Sequence, residues 1–199
     1  HPATLGYHMH DMPWEDITQT AREYEYKSHD TDTCGLHIHV SRTAFGISQL
    51  DQELNVAKMM LLFDRWWDNH IVPFSRRNIN LLNDWARKPD AEILPDDDES
   101  TAADKAKEAG YRTRYQAINL ENRATVEFRI FRGTLKRNTI IASIQWLDTL
   151  IAYVNTTPLK SLWHANWDDI FKATEYTELR EYLCKRKLLN EKKEESECA

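Results

Sequence analysis

The sequence has no regular cysteine pattern, no surplus of positive charge and no long apolar run, and each gap removes a class of protein. Its three cysteines, Cys34, Cys184 and Cys198, are odd in number and widely spaced. That argues against a disulfide framework or a four-cysteine zinc site, and for a reducing, cytoplasmic setting. The net charge is −6 and basic residues are not interleaved with aromatics, so nucleic acid is not an expected partner. No apolar stretch approaches the roughly 18 residues needed to span a bilayer, and no signal peptide is visible; a membrane is not expected either. There is no nucleophile elbow, no glycine-rich P-loop, no C-x-x-C pair and no internal repeat. The chain opens on His1 rather than methionine, which suggests trimming, with sequence missing upstream.

What is present points to one α+β domain. The chain has 199 residues, 41% hydrophobic and 29% charged, enough for a sizeable core. A single domain is expected over residues 1–190, with an exposed acidic insert at 87–110 and a charged, disordered tail at 191–199. The organising stretch is residues 34–42, where Cys34, Leu36, Ile38 and Val40 alternate with Gly35, His37, His39 and Ser41. A period of two is the mark of a half-buried strand. A second strand, 125–132, sends Val126, Phe128 and Ile130 one way and Thr125, Glu127, Arg129 and Phe131 the other. If both lie in one sheet, His37, His39, Glu127 and Arg129 meet on its polar face, a set suited to a metal and an anion.

The remaining segments frame these strands. Residues 1–13 read as loop, and a helix is expected from the Asp11–Ile17 region to about Tyr26, with Pro13 in its first turn. Asp30 and Asp32 stand in a polar turn as possible ligands, although exposed turn acids are common. Ser48 to Asp51 has the form of a capping box opening a helix through Trp67, with Leu50, Leu54, Ala57 and Leu61 along one side. Pro73 is expected to break it, and Phe74–Asn78 to begin another helix reaching about Trp85. There Arg76 and Arg77 would oppose the helix dipole, as cations placed for an anionic ligand or as a solvated pair. The insert reads as a solvated mobile loop with one short helix at 101–108. Residues 112–120 form a third strand candidate, in a hairpin with 125–132. Helices are expected over 135–154 and over about 168–189. Strands paired antiparallel with helices on one face make a layered architecture.

Taken alone, His-x-His on a strand occurs in zinc sites, non-haem iron sites and ordinary strands, and Glu-x-Arg is often a simple salt bridge. The other histidines read as surface or helix residues. The series CGLHIHVSR (34–42), FSRR (74–77), RYQAINL (114–120) and TVEFRIFRGTL (125–135) resembles the amidoligase family, carboxylate–amine ligases similar to glutamine synthetase and found in bacteria and their phages. The resemblance spans about residues 28–155. It implies a curved antiparallel sheet with helices behind it, like the glutamine-synthetase catalytic domain, with ATP and magnesium or manganese on the concave face. By position it implies that His37 and Glu127 ligate a catalytic metal and that His39 lies near ATP. It also implies that Arg129 contacts the transferred phosphate and acyl group, and that Arg76 or Arg77 is a further phosphate-side arginine. Arg132, Tyr115 and Asn119 would line the cofactor site. The substrates implied are a carboxylate and an amine, a peptide or protein among them, and a homo-oligomer stays open.

The sequence departs from that family in one respect. Members begin with a strand bearing paired glutamates, Glu-x-Glu, and nothing comparable precedes residue 34. Glu23 and Glu25 have the spacing but fall at a helix end, where i and i+2 diverge by about 200°. The fold is therefore expected to lack its N-terminal strands. Three functions follow: an ATP-dependent ligase, a zinc metallohydrolase using His37 and His39, and a non-catalytic descendant serving as a binding or phage module.

Overall fold

The structure, a computed structural model, describes residues 3–29, 31 and 35–189. Asp30, Asp32, Cys34 and the tail lie outside the described residues. The chain runs α1 (Leu5–His10), α2 (Trp14–Glu23), β1 (Gly35–Ser41), α3 (Gln49–Trp66), α4 (Val72–Ser75), α5 (Ile79–Trp85) and α6 (Glu99–Tyr111). Then follow β2 (Ile118–Asn119), β3 (Thr125–Arg132), α7 (Arg137–Thr156), α8 (Trp167–Lys172) and α9 (Thr177–Lys185). It is an α+β fold around a small antiparallel sheet of order β1-β3-β2.

β3 is central because it is the strand with two partners, and its apolar side chains are the best covered: Val126, Phe128 and Ile130 are all 0% exposed. Phe128 among them packs on α3. Phe63 of α3 and Trp146 of α7 approach to 5.7 Å between ring centres, with Phe128 at 6.0 Å from Phe63 and Phe74 stacked on Trp146 at 4.7 Å. Rings at these separations and tilts pack favourably beyond the area they bury. The capping box at Ser48 and Asp51 is present and starts α3 as expected. The middle of α3, from Asn55 to Phe63, is buried all round, so it is a central helix rather than a one-sided one. Leu50, expected in its apolar stripe, is exposed instead.

The pairing register contains a shift. Leu36 stands opposite Phe131, yet Ile38 stands opposite Phe128, so three residues of β3 match two of β1. Such a bulge reverses the facing of whatever follows it. Phe131, expected on the polar face, therefore turns into the core, 2% exposed and edge-on to Phe74 and Trp146.

Further expectations change. Residues 1–13 are not all loop: the Thr4 hydroxyl accepts from the Tyr7 N–H and caps α1, and His8 stacks on Trp14. Pro73 does not end the α3 segment. The chain widens into a π turn over residues 67–71, then continues as α4 with Pro73 in its first turn. The break comes at Arg76, in the left-handed conformation with φ of 57°. Arg76 and Arg77 thus lie in the turn between α4 and the Asn78 cap of α5 rather than in the first turn of a helix. The 101–108 region is not a solvated insert. α6 buries Ala102, Ala103, Ala106 and Ala109, small side chains that let it lie close against α3. Finally, the single helix expected at 168–189 is two, separated around Thr174, with Asn166 capping the first. Cys184 is disulfide-bonded, against the expectation of reduced thiols; its partner cysteine lies outside the described residues. No helix among the described residues is long and apolar enough to cross a membrane.

Candidate functional site

The strand order puts three polar residues in a row across the sheet: His39 on β1, Glu127 on β3 and Asn119 on β2 are successive pairing partners. Glu127 is the hub. Its Oε2 accepts from Asn119 Nδ2 at 2.7 Å and its Oε1 from Arg129 Nη1 at 2.8 Å. His37 Nδ1 lies 3.0 Å from the same Oε1, and His39 Nε2 lies 3.6 Å away. Burial alone would raise the pKa of this carboxyl. The Asn119 amide, Arg129 and the two imidazoles outweigh it, and the net shift is downward, so Glu127 stays ionised. His37 is shifted down as well, by burial first and then by Arg129. It is therefore a neutral imidazole near pH 7. With Nδ1–H donated to Glu127, its Nε2 keeps a lone pair.

Two arginines stand over this row. Arg129 is tied by Nε to the Trp85 carbonyl at 3.2 Å, and Tyr115 packs edge-on against that Trp85 ring. Arg77, 5% exposed, reaches from the far side of Arg76 and donates through Nη1 to the Arg129 carbonyl at 2.9 Å. Its Nε has no hydrogen-bond partner, and no carboxylate among the described residues pairs with it. A buried guanidinium with an unused donor beside a second guanidinium is costly to fold. Burial, and after it Arg129, pull its pKa below the ordinary value. An anion arriving between the two arginines would satisfy both. Gly35 makes this crowding possible. A Cβ there would lie 3.1 Å from Arg77 Nη1 and 3.3 Å from His37 Nε2.

Thus His37, His39, Glu127, Arg129, Arg77 and Asn119 converge, and Tyr115 supports them through Trp85. Arg76 and Arg132 do not join the cluster. They line a separate small crevice with Ser75, Thr134, Thr139, Ser143 and Tyr182. The FSRR pair is divided by the left-handed turn at Arg76, which sends its two guanidiniums to different places. Glu25 sits beyond the end of α2 in the left-handed conformation, apart from this cluster. No group of three or more histidine, cysteine or acidic side chains is arranged to hold a metal among the described residues. Three contributors were not singled out in the sequence: Gly35, Trp85 through its carbonyl, and Thr125, whose Oγ1 lies 3.0 Å from His39 Nδ1. Only Gly35 left a signal, as the sole residue without a side chain on the polar row of β1.

Fold and site together define an α+β protein with an ionised carboxylate, a neutral imidazole, one buried arginine and one half-buried arginine gathered at one sheet. The family model described as "Putative amidoligase enzyme" matches residues 15–151, more than half of the chain and including every residue of this cluster. The chain belongs to that amidoligase family. No curated protein and no solved structure matches it.

Proposed function

We propose that the protein is an ATP-dependent carboxylate–amine ligase that forms an amide or isopeptide bond through an acyl phosphate. The observation behind this reading is Arg77: a buried guanidinium, unpaired with any described carboxylate, with an unused donor and set against Arg129. A carboxylate is resonance-stabilised and offers only an oxide as leaving group, so an amine does not displace it. In the proposed reaction a carboxylate oxygen attacks the γ-phosphorus of ATP and ADP departs with the bridging oxygen. The amine nitrogen then attacks the acyl carbon, inorganic phosphate leaves with the electron pair, and the nitrogen releases its proton. The first step brings an anion against a polyanion. Arg129 and Arg77 would offset that repulsion and orient both groups, which is where such catalysis gains most.

Glu127 and His37 are the residues that would hold magnesium or manganese. One carboxylate and one imidazole suit a cation that completes its shell with nucleotide phosphates and water rather than a closed protein cage. When bound, such an ion draws charge from the β,γ-phosphates. The chain's own groups do the rest. Asn119 and Arg129 keep Glu127 ionised and fixed, and Glu127 sets the tautomer of His37. His39 and Tyr115 would flank the nucleotide. The likeness of the whole fold to glutamine synthetase belongs to this proposal.

The test is ADP release with magnesium. It should require both an amine and a carboxylate, and fall about 10³-fold in Arg129→Ala. It should also be lost in His37→Ala. ADP release indifferent to the amine, or untouched by these substitutions, would remove the ligase reading.

A further inference from the structure

Arg77 is delivered to the site by a strained turn, and the end of α4 that precedes this turn is capped by side chains. The Val72 carbonyl accepts from the Ser75 hydroxyl at 2.9 Å, the Pro73 carbonyl from Arg186 Nη2 at 2.9 Å and the Phe74 carbonyl from the Tyr182 hydroxyl at 2.8 Å. Ser75 Oγ also accepts the Arg77 N–H at 3.1 Å. A helix C-terminus leaves its last carbonyls in need of donors, and these bonds supply them. The next residue, Arg76, is left-handed with φ of 57°, a conformation that a Cβ makes costly. Such a conformation persists only where its surroundings hold it.

Two of these donors come from the α9 segment. Tyr182 and Arg186, the residue that closes α9, are four residues apart and so share one face. The Tyr182 ring also packs edge-on against Phe74, at 5.1 Å between ring centres. α9 itself is firmly seated on α7. Leu179 and Leu183 are 0% exposed, and buried Gln145 accepts the Leu179 N–H and donates to Glu178 Oε2, each at 2.9 Å. α7 in turn stacks Trp146 on Phe74. The end of α4 is thus gripped from two helices. The Arg77 guanidinium, by contrast, donates to the Arg129 carbonyl and leaves its Nε unpaired. With so few bonds of its own, its place depends on the backbone that carries it. α9 lies beyond residues 15–151, the part matched by the family model.

From these contacts we infer that Tyr182 and Arg186 are positioning residues for Arg77. By holding the Phe74 and Pro73 carbonyls they fix the turn at Arg76, and through it they set Arg77 against Arg129. Neither touches reacting atoms; both act through the backbone of α4. The inference rests on the ligase reading in one respect: the anion that Arg77 meets is then the phosphoryl group in transfer. Loss of either donor leaves a carbonyl unpaired and frees the turn to relax toward a right-handed conformation. That relaxation carries the Arg77 guanidinium away from its place. A displacement of about 1 Å in such a group costs on the order of 10²-fold in rate. The loss falls on kcat more than on KM, because the charge that Arg77 meets grows in the transition state.

The test uses two variants and a control. Tyr182→Phe keeps the ring against Phe74, and Arg186→Met alters an exposed residue and spares the core. Tyr176→Phe is the control, since it removes a hydroxyl beside the same helix that bonds Asp148 of α7 rather than α4. Phenylglyoxal labelling of Arg77 in the nucleotide-free protein, located by mass spectrometry, reports how firmly the guanidinium is held. It should quicken about fivefold or more in both variants and stay unchanged in the control. ADP release should fall about tenfold in each variant and about 10²-fold in the two combined, mostly in kcat. These losses should shrink to about twofold or less in an Arg77→Met background, because residues acting through one group are not additive. Equal losses in both backgrounds, or quicker labelling in Tyr176→Phe as well, would mean general loosening and overturn the inference. So would a change in labelling or in turnover without the other in an active enzyme. The two readings fail separately. Labelling and turnover both unchanged in the variants overturn the inference and leave the ligase. Quicker labelling, with no amine-dependent ADP release from the parent protein, keeps the hold on Arg77 and removes the ligase.

Discussion

The guanidinium of Arg77 donates to the backbone carbonyl of Arg129 at 2.9 Å, joining the turn after α4 to the bulged segment of β3. Two like charges are thereby held together with Glu127 as their one close carboxylate among the described residues. The arrangement makes little sense as a stabilising device, because burying an unpaired charge costs folding energy. It makes sense as a site held ready for an anion.

That contrast yields a prediction. Arg77→Met keeps most of the packing and removes the buried charge. The folded state should be as stable as the parent or more stable by about 1 kcal/mol in urea unfolding, while ADP release falls about 10³-fold. A large stability loss with normal turnover would show that Arg77 is structural.

Gly35 offers a finer probe. Alanine there puts a methyl group 3.1 Å from Arg77 Nη1 and 3.3 Å from His37 Nε2, and both are ends of movable side chains. Gly35→Ala should cost no more than about 1 kcal/mol of stability, since those ends can shift by a few tenths of an ångström. Displacing them should lower turnover about 10²-fold. Parallel urea titrations and ADP assays separate the two effects.

Gly110 tests whether α6 is packed. On an exposed helix, glycine to alanine stabilises by about 1 kcal/mol. Here the new Cβ would meet Leu120 Cγ and Cδ1 at 2.5 Å and Met60 Cε at 3.0 Å. Leu120 is 3% exposed and has nowhere to go. Gly110→Ala should therefore destabilise, by about 1–3 kcal/mol. The sign of the change in urea midpoint decides between a solvated insert and a packed helix.

The Tyr176 hydroxyl donates to Asp148 at 2.7 Å, and burial together with that bond pushes its pKa up to about 12. A phenol raised above its unfolded value of about 10 contributes stability that is complete below pH 10. This contribution is lost as pH climbs toward 12. Tyr176→Phe should lower stability at neutral pH and flatten that alkaline limb in pH-dependent unfolding. An unchanged limb would mean that the hydrogen bond is absent in solution.

Much of the fold was legible from local rules. Alternation marked β1 and β3 because one face of each meets a core and the other does not. The capping box marked the start of α3, and the apolar spacing of Ile140, Leu147 and Val154 marked α7. Where local signals competed with packing they misled. The alanines of α6 look merely small in sequence, and only the approach of α3 makes them a contact surface. Pro73 reads as a breaker, but a π turn before it absorbs the missing N–H.

The sequence by itself determined which residue types the site contains: two alternating strands with imidazoles, a carboxylate and arginines at strand spacing, and four motifs that mark the family. It could not say that His39, Glu127 and Asn119 lie in one row, since that depends on β3 taking the centre of the sheet. Nor could it choose between Arg76 and Arg77, neighbours in the chain that a single left-handed residue sends to different places. Spacing along the chain governs which face a side chain takes within one element. Strand order, bulges and turns govern which of those faces meet, and these answer to packing between segments far apart in sequence.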